Sequence, residues 1–248
     1  MPVVDSIITS PPYWNVTDYH CGRDQVGHGQ TLRQYLIAMG DVFSGCAALS
    51  KPNATMCLVV GAIRRKGEVV QLPSLLVDEA NASGWRLREQ ITWDKQKALP
   101  WTKHGEFRDV TEQVLLLSRT TNYTFNVEDL LSPTPQSEWW VRYPERYSPR
   151  GRMPTNIWRI PIPTQGAWRS YPRHACPFPE ELSFRLVAMN SNLDDVIFDP
   201  FAGIGSVPAM ATVLGRRGYG LDLSSGYVAE YGDVLDRATT WVAEKSAE

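Results

Sequence analysis

A chain of 248 residues with 43% apolar content can bury a sizeable core, and its net charge of −2 gives it no global attraction for a polyanion. No run of 18 or more apolar residues is present and the N-terminus enters a strand at once, so the expectation is a cytoplasmic protein with no membrane partner. Cys21, Cys46, Cys57 and Cys176 are scattered without a C-x-x-C pair, which predicts reduced thiols rather than a zinc site or a disulfide framework.

In chain order, the β-branched run from Val3 to Ile8 predicts a buried strand. It stops in Thr9-Ser10-Pro11-Pro12-Tyr13-Trp14, because two successive prolines lack N–H donors and cannot continue a ladder. The chain must continue there as a stiff loop with a hydroxyl, bare carbonyls and two flat rings at the carboxyl end of a strand, where open α/β sheets hold their ligands. Residues 32–49 repeat apolar side chains at helical spacing and run into Lys51-Pro52-Asn53, a stop signal. A strand is expected over 56–61, a helix over 72–82, and strands over 85–93 and 113–117. This alternation favours a mostly parallel sheet. Residues 120–172, rich in Pro, Arg and Trp, interrupt it, and helical spacing resumes over 180–189.

A second ligand signal lies near the C-terminus. The apolar strand ending at Asp199 is followed by Pro200-Phe201-Ala202-Gly203-Ile204-Gly205-Ser206, a plausible helix over 207–214, and a short strand, Gly218-Tyr219-Gly220-Leu221-Asp222, that ends in an acid. Glycines let a cofactor approach the backbone, a helix start offers free N–H groups, and a carboxylate one strand over can accept from ribose hydroxyls. The series predicts a nucleoside cofactor.

Between Trp139 and Arg185 the chain holds eight arginines, three glutamates and no lysine, a local charge of +5 in a protein that is otherwise −7. Trp139, Trp140, Trp158, Trp168, Tyr143, Tyr147 and Tyr171 interleave with them. Arginine forks suit phosphates and guanine edges, and rings stack on bases. The candidate DNA contacts are Arg142, Arg150, Arg152, Arg159 and Arg169, together with Trp14 on the opening loop. Lys95, Lys97, Arg64, Arg65 and Lys66 could meet phosphate or simply be solvated. His20, His28, His104 and His174 lack ligand spacing, so no metal is expected.

These motifs resemble those of the β-class DNA amino methyltransferases, which methylate an exocyclic base amine with S-adenosylmethionine. "TSPPYW" resembles their catalytic motif, "DPFAGIGS" their cofactor loop, and "RHACPFPEELSFRLVAM" the segment that embraces the cofactor. The resemblance implies an α/β, Rossmann-like methyltransferase fold with a seven-stranded, mostly parallel sheet and a circularly permuted motif order, the catalytic motif first. It implies that residues 1–119 are the catalytic half, 120–172 a small target-recognition insertion, and 173–248 the cofactor-binding half. Gly232-Asp233-Val234-Leu235 resembles an element that many relatives carry ahead of the catalytic strand, which would set Asp233 beside the cofactor adenine.

The resemblance further implies S-adenosylmethionine as cofactor, held by Phe178, Asp199, Phe201, Ala202, Gly203, Gly205, Ser206, Asp222 and Asp233, and DNA as partner. Ser10, Pro11, Pro12 and Tyr13 form the implied catalytic set: Ser10 and Pro11 accept the amine hydrogens, Pro12 stiffens the loop, and Tyr13 stacks on a flipped base. No cysteine follows a proline, which argues against the thiolate attack that ring-carbon methylation needs. Serine ahead of Pro-Pro-Tyr favours cytosine N4 in this family, with adenine N6 as the alternative. A non-catalytic DNA-binding subunit on the same fold is a further reading, against which the intact Ser10-Pro11-Pro12-Tyr13 and Gly203/Gly205 argue. A homodimer and a cognate restriction enzyme are partners that the sequence leaves open.

Overall fold

The computed structural model describes residues 2–97, 104–131, 151, 153–162 and 177–247. In chain order the elements are β1 (Val4–Thr9), α1 (Leu32–Leu49), β2 (Ser50–Val60), a hairpin of β3 (Ile63–Arg65) and β4 (Glu68–Val70), α2 (Leu72–Ala82), β5 (Arg86–Asp94) and β6 (Thr111–Ser118). β7 (Ile157–Arg159), α3 (Glu180–Asn190), β8 (Val196–Asp199), α4 (Ser206–Val213), β9 (Arg217–Gly220), α5 (Ser225–Ala229) and α6 (Tyr231–Lys245) complete the described part.

Helices α1 and α2 coincide with the expected bounds, because their signals are local. Thr31 caps α1 with a reciprocal box, its hydroxyl accepting from the Gln34 N–H while the Gln34 side chain accepts from the Thr31 N–H. Pro73 stands in the first turn of α2, where its missing donor is harmless. Strand ends are less local. β2 begins at Ser50 and passes through the Lys51-Pro52-Asn53 stop signal, since Ser50 already pairs with Val4 before a register break brings Ser6 opposite Thr55. β9 ends at Gly220, so Asp222 stands on the loop beyond it rather than in the strand.

Among the described residues seven strands form one sheet in the order β7-β5-β6-β2-β1-β8-β9. All run parallel except β6, which fills the slot between β2 and β5 antiparallel to both. Two residues of β1 decide how the layers form: Ile7 and Ile8 are both fully buried and point to opposite faces. Ile7 joins Tyr35, Met39 and Phe43 of α1 and Leu72 and Leu76 of α2. Ile8 joins Leu182 and Leu186 of α3, Val207 and Met210 of α4, and Val234 of α6. The result is a Rossmann-like sandwich of helices on both sheet faces.

From β1 the chain builds outward to β2 on one side and later to β8 and β9 on the other. The switch point therefore lies between β1 and β8, and crevices at such points are where α/β sheets bind ligands. Both singled-out loops, 10–14 and 200–206, leave the sheet there. The stretch read as an insertion contributes to the sheet itself: Trp158 pairs opposite Trp93, making β7 the outermost described strand beside β5. Among the described residues no helix is long and apolar enough to cross a membrane.

Candidate active site

The opening loop leaves β1 at Thr9, which is 2% exposed, runs through Pro11 and Pro12 and turns over residues 14–16. Tyr13 then reaches sideways across the sheet: its hydroxyl accepts from the Gly61 N–H at 2.7 Å, just past the end of β2. Asn15 takes a left-handed backbone, φ +49°, and is tied to the segment 27–30. Its side-chain N–H and the Trp14 indole N–H both donate to the Gln30 carbonyl at 2.7 Å, while its side-chain oxygen accepts from the Gly29 N–H. Gly27 backs the loop so closely that a Cβ there would stand 3.1 Å from the Tyr13 carbonyl oxygen. Against this web, the Ser10 hydroxyl and the Pro11 carbonyl accept no hydrogen bond from any described residue. Two rigidly mounted acceptors are left for something else.

On the neighbouring strand, Asp199 closes β8 and is 4% exposed. Its carboxylate accepts from the Phe201 N–H at 3.0 Å, which starts the turn of the glycine loop. Burial pushes the Asp199 carboxyl up to about 7; the adjacent Thr9 hydroxyl and the Phe201 N–H pull it back, and the charge of Asp222 adds to the rise. The Thr9 oxygen is itself buried without a full hydrogen bond to a described partner, so its hold on Asp199 is one of proximity.

Asp222 is the knot of the glycine loop. One carboxylate oxygen accepts from the Gly203 N–H at 2.9 Å and the other from the Ser224 N–H at 2.8 Å. The loop glycines answer to packing as well as to a ligand. Gly205 has φ +88°, and a Cβ there would lie 2.6 Å from the Tyr231 ring of α6; a Cβ on Gly220 would lie 2.6 Å from that of Ala202. Phe178 meets the Trp93 ring edge-on at 6.5 Å and lines a crevice with Ile204 and Ser206, so it does reach the glycine loop.

The segment after the opening loop meets α5 and Asp222. Tyr19 packs edge-to-face on Tyr227 of α5 with centroids 6.5 Å apart, and Cys21 lies close enough to Asp222 to feel its charge. Burial first, then Asp222 and Asp18, raises the Cys21 thiol. Neither Tyr19 nor Cys21 carries any pattern in the sequence that marks it.

Other expected residues fall differently. Asp233 is exposed in the first turn of α6 and makes no hydrogen bond with the described residues; Tyr231, two positions earlier, is what touches the glycine loop. Trp14 is half-buried and its N–H is taken by Gln30. Arg159 is exposed at the end of β7, 3.9 Å from Asp94. Arg142, Arg150, Arg152 and Arg169 lie outside the described residues. Two members of the Arg-Trp stretch turn inward: Trp158 is buried, and Arg185 covers its ring while pairing with Glu181 at 2.6 Å. Lys95 is paired with Glu112 at 2.8 Å, both largely shielded, which removes it from the solvated set.

Residues 4–232 match the DNA methylase family of N6 and N4 methyltransferases. The chain belongs to that family. Among curated relatives, it is 23% identical to the type II methyltransferase M.Cfr9I of Citrobacter freundii, over 91% of this chain and 79% of that protein. It is 24% identical to the DNA adenine methyltransferase YhdJ of Escherichia coli, over 99% and 80%. Among solved structures, TTHA0409 of Thermus thermophilus in complex with S-adenosyl-L-methionine superposes with a TM-score of 0.64 at 25% identity, covering 96% of this chain and 88% of that one.

The protein is thus an S-adenosylmethionine-dependent DNA methyltransferase of the N4/N6 class. Its own groups fit that cofactor. Asp222 retains lone pairs after accepting two N–H bonds, enough for ribose hydroxyls, and the glycine loop ends at the N-terminus of α4.

Proposed function

We propose that the protein methylates N4 of cytosine in DNA, taking hold of a flipped-out base on the loop from Ser10 to Tyr13. The observation that supports this most directly is the pair of uncommitted acceptors, the Ser10 hydroxyl and the Pro11 carbonyl, on a loop anchored through the Tyr13 hydroxyl, the Trp14 indole N–H and the Asn15 side chain. An exocyclic amine is a poor nucleophile because its lone pair is delocalised into the ring. Accepting both N–H bonds localises that pair on nitrogen. Bound S-adenosylmethionine supplies an electrophilic methyl group, and the strand pairing of β1 with β8 sets its loop beside the acceptors. Because Pro11 and Pro12 fix the acceptors before the base arrives, little reorganisation remains for the transition state.

In this reading Tyr13 offers its ring to the base while Gly61 holds its hydroxyl, and Asp222, Gly203, Gly205, Ser206, Phe201, Ala202 and Phe178 line the cofactor's berth. Asp199 acts beneath the loop, shaping it through the Phe201 N–H. Recognition of the DNA sequence is assigned to the Arg-Trp stretch within 120–172, with Arg159 at its sheet-bound end. Residues 1–119 and 173–248 then form two halves of one catalytic domain. The type II relative supports a cognate restriction endonuclease as a functional partner.

Serine ahead of Pro-Pro-Tyr is the support for cytosine over adenine. Mass spectrometry of nucleosides from DNA methylated by the purified protein tests it: N4-methylcytosine is expected. N6-methyladenine would keep the loop chemistry and reverse the base, and 5-methylcytosine would refute the loop chemistry.

A further inference from the structure

The β3–β4 hairpin leaves β2 directly after Gly61, the residue that holds the Tyr13 hydroxyl. Strand alternation sends its two arginines to opposite sides. Arg64 faces outward and meets Asp109 at 3.4 Å. Arg65 faces the opening loop: one guanidinium nitrogen donates to the Asn15 carbonyl, fifty residues earlier, and the guanidinium carbon lies 5.5 Å from the centre of the Trp14 ring. Ile63, 7% exposed, roots the hairpin in the core cluster beneath.

Asn15 takes φ +49°, a left-handed backbone that asparagine adopts more readily than other side chains, and four hydrogen bonds hold it there. Its N–H goes to the Gly27 carbonyl, its side chain to Gln30 and Gly29, and its carbonyl to Arg65. The stretch from Gly61 to Arg65 therefore grips the loop twice, at the Tyr13 hydroxyl and at Trp14-Asn15.

We propose that Arg65 is a positioning residue for methyl transfer: by clamping Trp14 and Asn15 it fixes the loop that presents Ser10 and Pro11 to the target amine. The proposal rests on the amine-acceptor reading of that loop. It also sets Arg65 apart from a phosphate contact, the other use of a basic hairpin beside a DNA site. A phosphate contact sets DNA affinity and its salt dependence, whereas a clamp sets turnover.

The test compares Arg65→Ala and Arg65→Lys with the wild type on a DNA substrate, reading kcat, KM for DNA, the salt slope of DNA binding, and S-adenosylmethionine affinity by calorimetry. For Arg65→Ala, kcat should fall about ten- to hundredfold, the range of a misplaced reacting group. Cofactor affinity, KM for DNA and the salt slope should stay within about twofold of wild type. Arg65→Lys, which keeps a donor but not a flat fork over Trp14, should fall between the two. A kcat unchanged in Arg65→Ala overturns the clamp. So does a salt slope reduced by about one with affinity fully restored by lysine, the signature of a phosphate contact. If Arg65→Ala does not fold, a lysine variant with wild-type cofactor affinity and lowered kcat supports the clamp, and one with wild-type kcat overturns it. A wild type that makes no N-methyl base refutes the underlying reading instead, since the variants are scored only against an active parent.

Discussion

Replacing Asp222 by asparagine exchanges one oxygen for an amide of nearly the same size and should weaken S-adenosylmethionine binding by about 1–2 kcal/mol. Both carboxylate oxygens are in use, one accepting from Gly203 at 2.9 Å and one from Ser224 at 2.8 Å. Asparagine keeps one acceptor and turns an NH2 donor toward the other N–H. A hydrogen bond to a charged group contributes about 1.5–3 kcal/mol, but Asp222 is half-exposed, so water takes over part of the orphaned N–H and the loop loses about 1 kcal/mol. In the complex, the ribose hydroxyls meet a neutral acceptor in place of a charged one, which removes about 1–2 kcal/mol of binding. That corresponds to a Kd raised about five- to thirtyfold. Titration calorimetry with S-adenosylmethionine and S-adenosylhomocysteine measures it. The free protein should melt only about 2–4 °C lower, which separates a binding defect from unfolding. An Asp222→Asn variant that binds either compound within threefold of wild type would refute the assignment of Asp222 to the cofactor's ribose.

The buried Asp199 predicts a pH dependence of stability. Its folded pKa of about 7 lies above the ordinary carboxyl value of 3.8, so the native state holds the extra proton and stability falls as pH rises from about 4 to about 7, by at most about 4 kcal/mol. Asp199→Asn should flatten that part of the profile in urea unfolding at pH 5 and pH 8, and parallel profiles for variant and wild type would show that Asp199 is not responsible. Gly205→Ala meets both a left-handed backbone and a Tyr231 ring carbon 2.6 Å from the new Cβ, and should lose about 2–4 kcal/mol of stability; a double variant with Tyr231→Ala should recover the steric part, and additive losses would exclude the contact as the cause. Tyr13→Phe keeps the ring and strands the Gly61 N–H, so stability should drop by about 1–3 kcal/mol with turnover largely kept. Tyr13→Ala should cost up to about a hundredfold in activity at nearly unchanged cofactor affinity, and full activity in that variant would remove Tyr13 from base stacking.

Features that depend on neighbours a few residues away are legible in the chain alone. Thr31 and Gln34 cap α1, Pro73 starts α2, Pro11 and Pro12 end β1, and Gly203 with Gly205 mark a loop that leaves a strand for a helix; each is a local backbone preference, readable where it stands. Packing settles which distant segments share a contact. It puts β6 antiparallel between β2 and β5, draws β7 out of the Arg-Trp stretch into the sheet beside β5, and turns Trp158 and Arg185 inward, where composition counts them as surface. It also supplies the reasons behind legible residues: Gly205 is pressed by Tyr231, Asp222 carries the Gly203 N–H, and Tyr13 hangs from Gly61. Such pairings span tens of residues along the chain, and their energy comes from burial and hydrogen bonds that exist only once the sheet has closed, so no local propensity encodes them.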